Sequence, residues 1–142
     1  MFDIALVAQN SKTGDLVNLV KKYRDGIARH SVVSDFETGL VIKSLTGIDI
    51  TFLSSVDEGG YLQLARMVST ENLRMVIFLH DPQLSIDDPG IALLLRSCNM
   101  YNIPFANNMT TAEFILHRFL EKEMAICRRF PRAQRENDLI NV

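Results

Sequence analysis

The 142-residue chain has little cysteine, no excess of basic charge and no long apolar run. Its two cysteines, Cys98 and Cys127, are too few for a disulfide scaffold and suggest a reducing compartment. A net charge of −2 gives no support to nucleic-acid binding. No apolar run approaches the ~20 residues of a membrane span, and Met1–Asp3 lacks the basic start of a signal peptide. We therefore expect a cytoplasmic protein with neither a nucleic-acid nor a membrane partner.

Metal-ligating residues are also sparse. Three histidines are scattered along the chain and the two cysteines lie far apart, so no metal constellation forms. The sequence therefore predicts no metal site and no cofactor. The remaining composition, 47% hydrophobic and 23% charged, is ordinary for a globular protein, and the length corresponds to about one domain.

Five short apolar or β-branched runs alternate with segments of helical periodicity. The run Met75–Leu79 is uninterrupted and closes in a polar turn at Pro82, which indicates a strand buried on both faces. The alternation predicts a single-domain α/β three-layer sandwich with a mostly parallel five-stranded sheet. Ligands of such sheets bind outside the carboxyl ends of the strands. The other predicted strands are Ile4–Ala8, Ser31–Val33, Ile48–Leu53 and Asn102–Ala106.

The helices are predicted from the spacing of apolar residues and from capping residues. Pro89 suits the first turn of a helix, where its missing N–H costs nothing. Thr110 or Thr111 is expected to cap the last helix. Leu40 and Leu45 are expected on the buried side of a helix opened by the Thr-Gly pair at 38–39. The other expected inner positions include Leu16, Leu19, Val20, Tyr23, Val41, Tyr61, Leu64, Ala65, Val68, Phe114, Ile115, Phe119 and Leu120.

The C-terminal segment has a different character from the rest of the chain. From about Met124 onward it is polar and basic, with arginines at 128, 129, 132 and 135. We divide the chain into a domain at 1–123 and a basic arm or tail at 124–142. The tail is expected to be either a solvated surface segment or an arm that packs against another subunit.

Several short motifs stand in a specific order and spacing between Ile4 and Ile115. Together they resemble methylglyoxal synthase. The resemblance implies the fold of that family and assembly as a homo-hexamer. It also implies a reaction in which a proton is removed beside the carbonyl of dihydroxyacetone phosphate and phosphate is then expelled. The motifs are Thr38–Gly39, Thr46–Gly47, Gly59–Gly60, Phe78–Pro82, Asn102–Pro104 and Thr110–Ile115.

That chemistry needs a carboxylate base, an acid at the carbonyl oxygen and a phosphate cradle. The family's first strand ends in His-Asp, where this chain has Gln9 and Asn10, which do not exchange protons near neutral pH. The family's principal base is an Asp directly after Gly-Gly, where Gly59–Gly60 is followed by Tyr61. Tyr61 is expected either to fill the old pocket or to stack on a flat ligand.

The loop after the central strand differs from the family in the same way. The family pattern His-Asp-Pro-Asp reads Asp87–Gly90 here, so the proposed electrophilic His has become Asp87 and the second catalytic Asp has become Gly90. Of the proton-handling groups that can be matched, only Asp88 remains. His80 is expected either to orient this loop or to donate a hydrogen bond in the pocket.

The phosphate cradle is altered as well. The family loop Thr-Gly-Thr-Thr-Gly reads Asp35–Gly39, which places the carboxylates of Asp35 and Glu37 where the phosphate should sit. At roughly 4 Å and an effective dielectric of ~20, each repulsion is on the order of several kcal/mol. Lys12 could replace the family's cradle Lys, displaced by about one position. The candidate ligand-binding residues are Gln9, Asn10, Lys12, Thr38, Gly39, Ser55, Gly59, Gly60 and Tyr61.

Three functional hypotheses follow. The leading one is a protein that has lost the dihydroxyacetone-phosphate lyase activity and serves as a small-molecule-binding, regulatory or assembly protein. The alternatives are an active methylglyoxal synthase with relocated carboxylates and an enzyme of different chemistry in the same pocket. The cleft is expected to be electronegative, and its ligand neutral or cationic. The catalytic candidates of an active enzyme are Asp57, Glu58, Asp87, Asp88 and His80.

Overall fold

The fold is a parallel five-stranded sheet between two layers of helices. The computed structural model describes residues 2–70, 72–84 and 88–129, with side chains up to Glu121. The strands pair in the order β3-β2-β1-β4-β5, and every pairing is parallel. The predicted α/β sandwich is therefore confirmed. The strands are β1 (Ile4–Ala8), β2 (Val32–Ser34), β3 (Thr51–Phe52), β4 (Val76–Leu79) and β5 (Phe105–Ala106).

Six α-helices cover the two faces of the sheet in the described part of the chain. The first three and the last pack with one hydrophobic cluster, and the other two pack with a second cluster on the opposite face. Two 3-10 turns lie at Asn10–Lys12 and Val56–Glu58. The helices are α1 (Thr13–Lys22), α2 (Arg24–Ile27), α3 (Phe36–Thr46), α4 (Gly60–Ser69), α5 (Pro89–Tyr101) and α6 (Met109–Arg129).

The two central strands explain the uninterrupted apolar runs of the sequence. β1 and β4 lie side by side, with Ala5 opposite Val76 and Ala8 opposite Leu79. All their residues are buried, because helices cover both faces. The edge strands β3 and β5 are shorter than predicted and span two residues each.

Two helix starts differ from the prediction because another residue provides the cap. α3 begins at Phe36 rather than at the Thr-Gly pair, since Asp35 Oδ2 accepts a hydrogen bond from the Thr38 backbone N–H at 3.1 Å. α6 begins after Asn108, whose Oδ1 accepts from the Thr111 N–H at 3.0 Å, so the predicted caps Thr110 and Thr111 are wrong. α5 begins at Pro89 as predicted.

The buried face of α3 was also predicted wrongly. Leu40 and Leu45 are 48% and 58% exposed, whereas Ile42 faces the core. A Cβ atom on Gly39 would lie 2.9 Å from the Phe52 ring, so α3 is pressed against β3 along the face that carries this glycine. The leucines therefore point away. Phe114 on α6 is exposed too, although it was expected on the inner face of the last helix.

The predicted boundary at 124 falls inside a helix. α6 continues without a break through Arg129, and the side chains of Arg128 and Arg129 and all of 130–142 lie outside the described residues. Among the described residues, no helix combines the length and the apolar character needed to cross a membrane.

Candidate functional site

Polar residues follow directly after three neighbouring strands at one edge of the sheet. Gln9 follows β1, Asp35 follows β2 and His80 follows β4. Because these strands are adjacent and parallel, their carboxyl ends meet at the same edge. The first turn of α4 brings Tyr61 to the same place. This edge is the candidate site, since ligands of open α/β sheets bind there.

A cavity of about 400 Å³ opens at this edge. Three carboxylate residues line it, namely Asp35, Glu37 and Asp57, together with the amides Gln9 and Asn10. None of the described residues that line it is a Lys, an Arg or a His. The cavity is therefore electronegative, which agrees with the charge predicted for the cleft.

Tyr61 forms a buried wall of this cavity. The residue is only 4% exposed, and its ring meets the Phe78 ring of β4 nearly edge-on at 5.2 Å between centroids. Burial raises the pKa of the Tyr61 hydroxyl well above its ordinary value, and the charges of Asp35 and Asp88 raise it further. The side chain is therefore a neutral phenol at neutral pH and not a proton acceptor.

The side chain of Gln9 connects Tyr61 to the loop after β4. Its Oε1 accepts hydrogen bonds from His80 Nδ1 at 2.6 Å and from the Asp81 backbone N–H at 3.0 Å. Gln9 also lines the cavity with Tyr61, and its side chain partly lowers the pKa of the Tyr61 hydroxyl. His80 thus holds the loop and lines a separate depression beside Lys12 rather than the cavity of Tyr61.

Asp35 is the most deeply buried carboxylate of the cavity, with 1% of its surface exposed. Oδ2 caps α3, but Oδ1 has no hydrogen-bond partner among the described residues. Burial raises the pKa of this carboxyl above its usual value, hydrogen bonds from Thr38 lower it in part, and the neighbouring Glu37 carboxyl raises it.

Comparison with known proteins identifies the family. No family model matches the chain. The methylglyoxal synthase of Carboxydothermus hydrogenoformans is 36% identical over 117 residues, which is 82% of this chain and 97% of that protein. The methylglyoxal synthase of Bacillus subtilis is 37% identical over 114 residues, 80% of this chain and 83% of that protein. The chain belongs to the methylglyoxal synthase family.

A solved structure agrees with this assignment. The methylglyoxal synthase of Elizabethkingia anophelis superimposes with a TM-score of 0.75 at 33% identity, covering 81% of this chain and 76% of that one. The family's scaffold is thus retained.

The glycines of the methylglyoxal synthase pattern have structural reasons to be present. A Cβ atom on Gly60 would lie 2.5 Å from the Ser54 carbonyl oxygen, and Gly59 has a left-handed φ of 95°. The Thr38 hydroxyl donates to the Ala8 carbonyl at 3.3 Å. The local backbone therefore favours these residues whether or not the loops bind phosphate.

An active methylglyoxal synthase would need one of the predicted acidic residues to lie at the cavity. The described members of this group differ in their position relative to it. Asp57 and Glu58 are exposed in the 3-10 turn, and only Asp57 lines the cavity. Asp88 Oδ1 caps α5 by accepting from the Gly90 N–H at 2.7 Å, and Asp88 lines an adjoining cavity of about 440 Å³ with Tyr61. Asp87 lies outside the described residues.

The cradle candidates do not all meet in one place. Lys12 points toward Asp15, with 3.9 Å between Nζ and Oδ2, and does not line the cavity of Tyr61. Ser55 supports the turn instead, since its carbonyl oxygen accepts from the Gly60 N–H at 3.0 Å.

Two features of the site were missed by sequence reasoning. Asp35 was considered only as a charge at a phosphate position, although an Asp before a helical run also indicates an N-cap. Asp81 is buried and accepts a hydrogen bond from the Ser11 hydroxyl at 2.6 Å, which lowers the pKa of the Asp81 carboxyl. No local pattern pairs Ser11 with a residue 70 positions away.

Proposed function

We propose that this methylglyoxal synthase-like protein has lost dihydroxyacetone-phosphate lyase activity and acts as a small-molecule-binding, regulatory or assembly protein. The observation that carries the proposal is Tyr61. It stands where the family pattern has its carboxylate base, and it is a buried, neutral phenol. A phenol of this kind cannot remove the proton beside a carbonyl at neutral pH.

The charge of the cavity supports the same proposal. A triose phosphate would bring its dianion toward Asp35 and Glu37, with no described basic residue in the lining to offset them. Loss of the base and of the acid removes factors of ~10²–10⁴ each in rate. Weak binding and slow chemistry would therefore act together.

The test is a direct assay of phosphate release from dihydroxyacetone phosphate. The Bacillus subtilis methylglyoxal synthase, a 37% identical relative, serves as the positive control. We expect release at the rate of the protein-free reaction, so that the turnover number lies at least ~10⁴-fold below that of the control. Saturable, protein-dependent release of phosphate would contradict the proposal.

The second candidate function is an active methylglyoxal synthase that uses a relocated carboxylate. One observation favours it: Asp57 lines both cavities that border Tyr61. If phosphate is released, Asp57→Asn should abolish the release. Glu58→Gln is the matched control, because Glu58 is the next residue of the same turn and lines neither of those cavities.

We further propose that the protein is cytoplasmic and assembles as a homo-hexamer, as the family resemblance implies. Support comes from apolar side chains that the described chain leaves uncovered, including Leu40 and Leu45 on α3 and Phe114 on α6. Analytical ultracentrifugation should give six times the chain mass of 16.1 kDa. A species of the single-chain mass at micromolar concentration would contradict hexamer assembly.

A further inference from the structure

The Asp35 carboxylate has one oxygen in use and one without a partner. Oδ2 accepts from the Thr38 N–H at 3.1 Å, whereas Oδ1 is buried and has no hydrogen-bond partner in the described part of the chain. Buried carboxylate oxygens are normally paired, because desolvation is otherwise unfavourable. Since Asp35 also lines the cavity, the unfilled acceptor belongs to a residue of the cavity wall.

A second carboxyl group lies beside the first. Glu37 lines the same cavity two positions along the chain, and its charge raises the pKa of the Asp35 carboxyl. A neighbouring like charge disfavours the charged form of the buried Asp35 carboxyl. The described residues of the cavity lining include no Lys, Arg or His that would offset them. The pair is therefore complementary to a cation.

We propose that the Asp35–Glu37 pair binds the ammonium group of a small hydroxylated primary amine, in the place where the family's cradle holds phosphate. This inference rests on the proposed loss of the phosphate reaction and names the class of ligand that replaces the triose phosphate. The ammonium group donates one hydrogen bond to Asp35 Oδ1 and another to the Glu37 carboxylate.

The geometry favours an ammonium over a guanidinium ion. A guanidinium group binds a carboxylate best through two parallel hydrogen bonds to both oxygens. Here Asp35 Oδ2 is already engaged by the backbone of α3, so only Oδ1 is available. An ammonium group is a compact point charge with three donors and can bridge single oxygens of two carboxylates.

The rest of the lining indicates the body of the ligand. Asn10, Thr13 and Asp57 present amide, hydroxyl and carboxylate groups to the cavity, and Val41 and Val56 add apolar surface. Such a lining suits a short carbon chain with hydroxyl groups. The volume of about 400 Å³ accommodates a small metabolite.

The experiment compares three probes of one carbon skeleton with the full-length chain. They are 3-amino-1,2-propanediol, glycerol and glycerol 3-phosphate, which carry a positive, a neutral and a negative group at the same position. Binding is measured by isothermal titration calorimetry and by the shift in Tm. We expect the amine to bind and to raise Tm, and the phosphate to do neither. Guanidine should bind more weakly than the amine.

The variants test the assignment to residues. Asp35→Asn keeps an oxygen that can cap α3, since Asn is as good an N-cap as Asp, and it should weaken amine binding by roughly tenfold or more. Glu37→Gln, at an exposed position, should weaken it as well. Asp25→Asn is the matched control, because the Asp25 side chain is fully exposed on α2, and it should leave the affinity unchanged.

Three results would overturn the inference. They are the absence of amine binding, equal affinity for glycerol and the amine, and undiminished amine affinity in both Asp35→Asn and Glu37→Gln. Failure of the inference is distinguishable from failure of the proposed function. Absent amine binding without phosphate release removes the inference alone, whereas phosphate release from dihydroxyacetone phosphate removes the proposed function.

Discussion

A Cβ atom placed on Gly90 would lie 2.9 Å from the Cβ atom of Tyr61. In this chain, the first turns of α4 and α5 approach so closely that a side chain at position 90 would overlap with Tyr61. In the family pattern both positions carry catalytic aspartates. The glycine at position 90 therefore leaves room for the Tyr61 side chain in this chain.

The close approach predicts the effect of filling position 90. Gly90→Ala should lower the free energy of unfolding by about 1–3 kcal/mol, because the added methyl group overpacks the contact with Tyr61. Gly14→Ala is the control, since a Cβ atom at this helical position meets nothing within 4 Å, and it should be neutral or stabilising by up to about 1 kcal/mol. Urea unfolding measures both. Equal stability of the two variants would show that α4 and α5 separate without cost.

Substitutions of Tyr61 separate its ring from its hydroxyl. Tyr61→Phe keeps the contact with Phe78 and removes the hydroxyl on which the Gln9 side chain acts, so we expect a cost of about 0.5–1.5 kcal/mol. Tyr61→Ala empties a buried site and should cost about 3–5 kcal/mol. Leu62→Ala, at the neighbouring exposed position, should change stability far less. A small cost for Tyr61→Ala, measured by the same unfolding method, would mean that Tyr61 is not a packing residue.

The central sheet could be predicted from the sequence because its signal is local. β1 and β4 are continuous apolar runs, and burial on both faces is the ordinary reason for such runs. The face of α3 could not be predicted in the same way. Its orientation depends on the Asp35 cap and on the contact of Gly39 with Phe52, a residue 13 positions along the chain.

The candidate site also has some features that the local sequence predicts and others that depend on contacts between distant residues. The absence of a carboxylate at Tyr61 and the excess of acidic groups in the cleft could be predicted by comparing short motifs. The lack of a partner for Asp35 Oδ1 could not be predicted. It depends on which groups surround this atom in the folded chain, and these groups come from separate segments of the sequence. The role of Gln9 as a link between His80 and Tyr61 likewise depends on contacts between residues more than 50 positions apart.

The raised pKa of Asp35 predicts a pH dependence of stability. Its carboxyl has a higher pKa in the folded protein than its usual value of 3.8 because burial disfavours the charged form. The folded state therefore binds the proton more tightly, and the stability linked to this group is complete below pH 3.8 and is lost as the pH rises through the folded-state pKa. Relative to the native chain, Asp35→Asn should gain stability as the pH rises from 3.5 to 7.

The measurement is a series of urea unfolding curves at several pH values. Asp25→Asn, at a fully exposed side chain, should keep a constant difference from the native chain over the same range. A stability difference for Asp35→Asn that stays flat, or that falls as the pH rises, would contradict the assignment of Asp35 as a carboxyl whose pKa is raised by burial.

Asp3 should behave in the opposite way at the other end of the sheet. Burial by itself raises the pKa of the Asp3 carboxyl, but the His30 hydrogen bond and charge, with help from the Ser31 N–H and the charge of Arg74, lower it on balance. The stability linked to Asp3 is therefore present above its usual pKa of 3.8 and is lost as the pH falls through the folded-state value.

Asp3→Asn should cost about 1.5–3 kcal/mol at pH 7, because it weakens the 3.0 Å contact with the buried His30 ring. In the same unfolding series, the stability that Asp3→Asn loses relative to the native chain should shrink below pH 3.8. The stability that Asp35→Asn gains relative to the native chain should also disappear below that pH. Parallel slopes for the two variants would mean that a general effect of net charge, and not the local surroundings of each carboxylate, controls the acid stability of the protein.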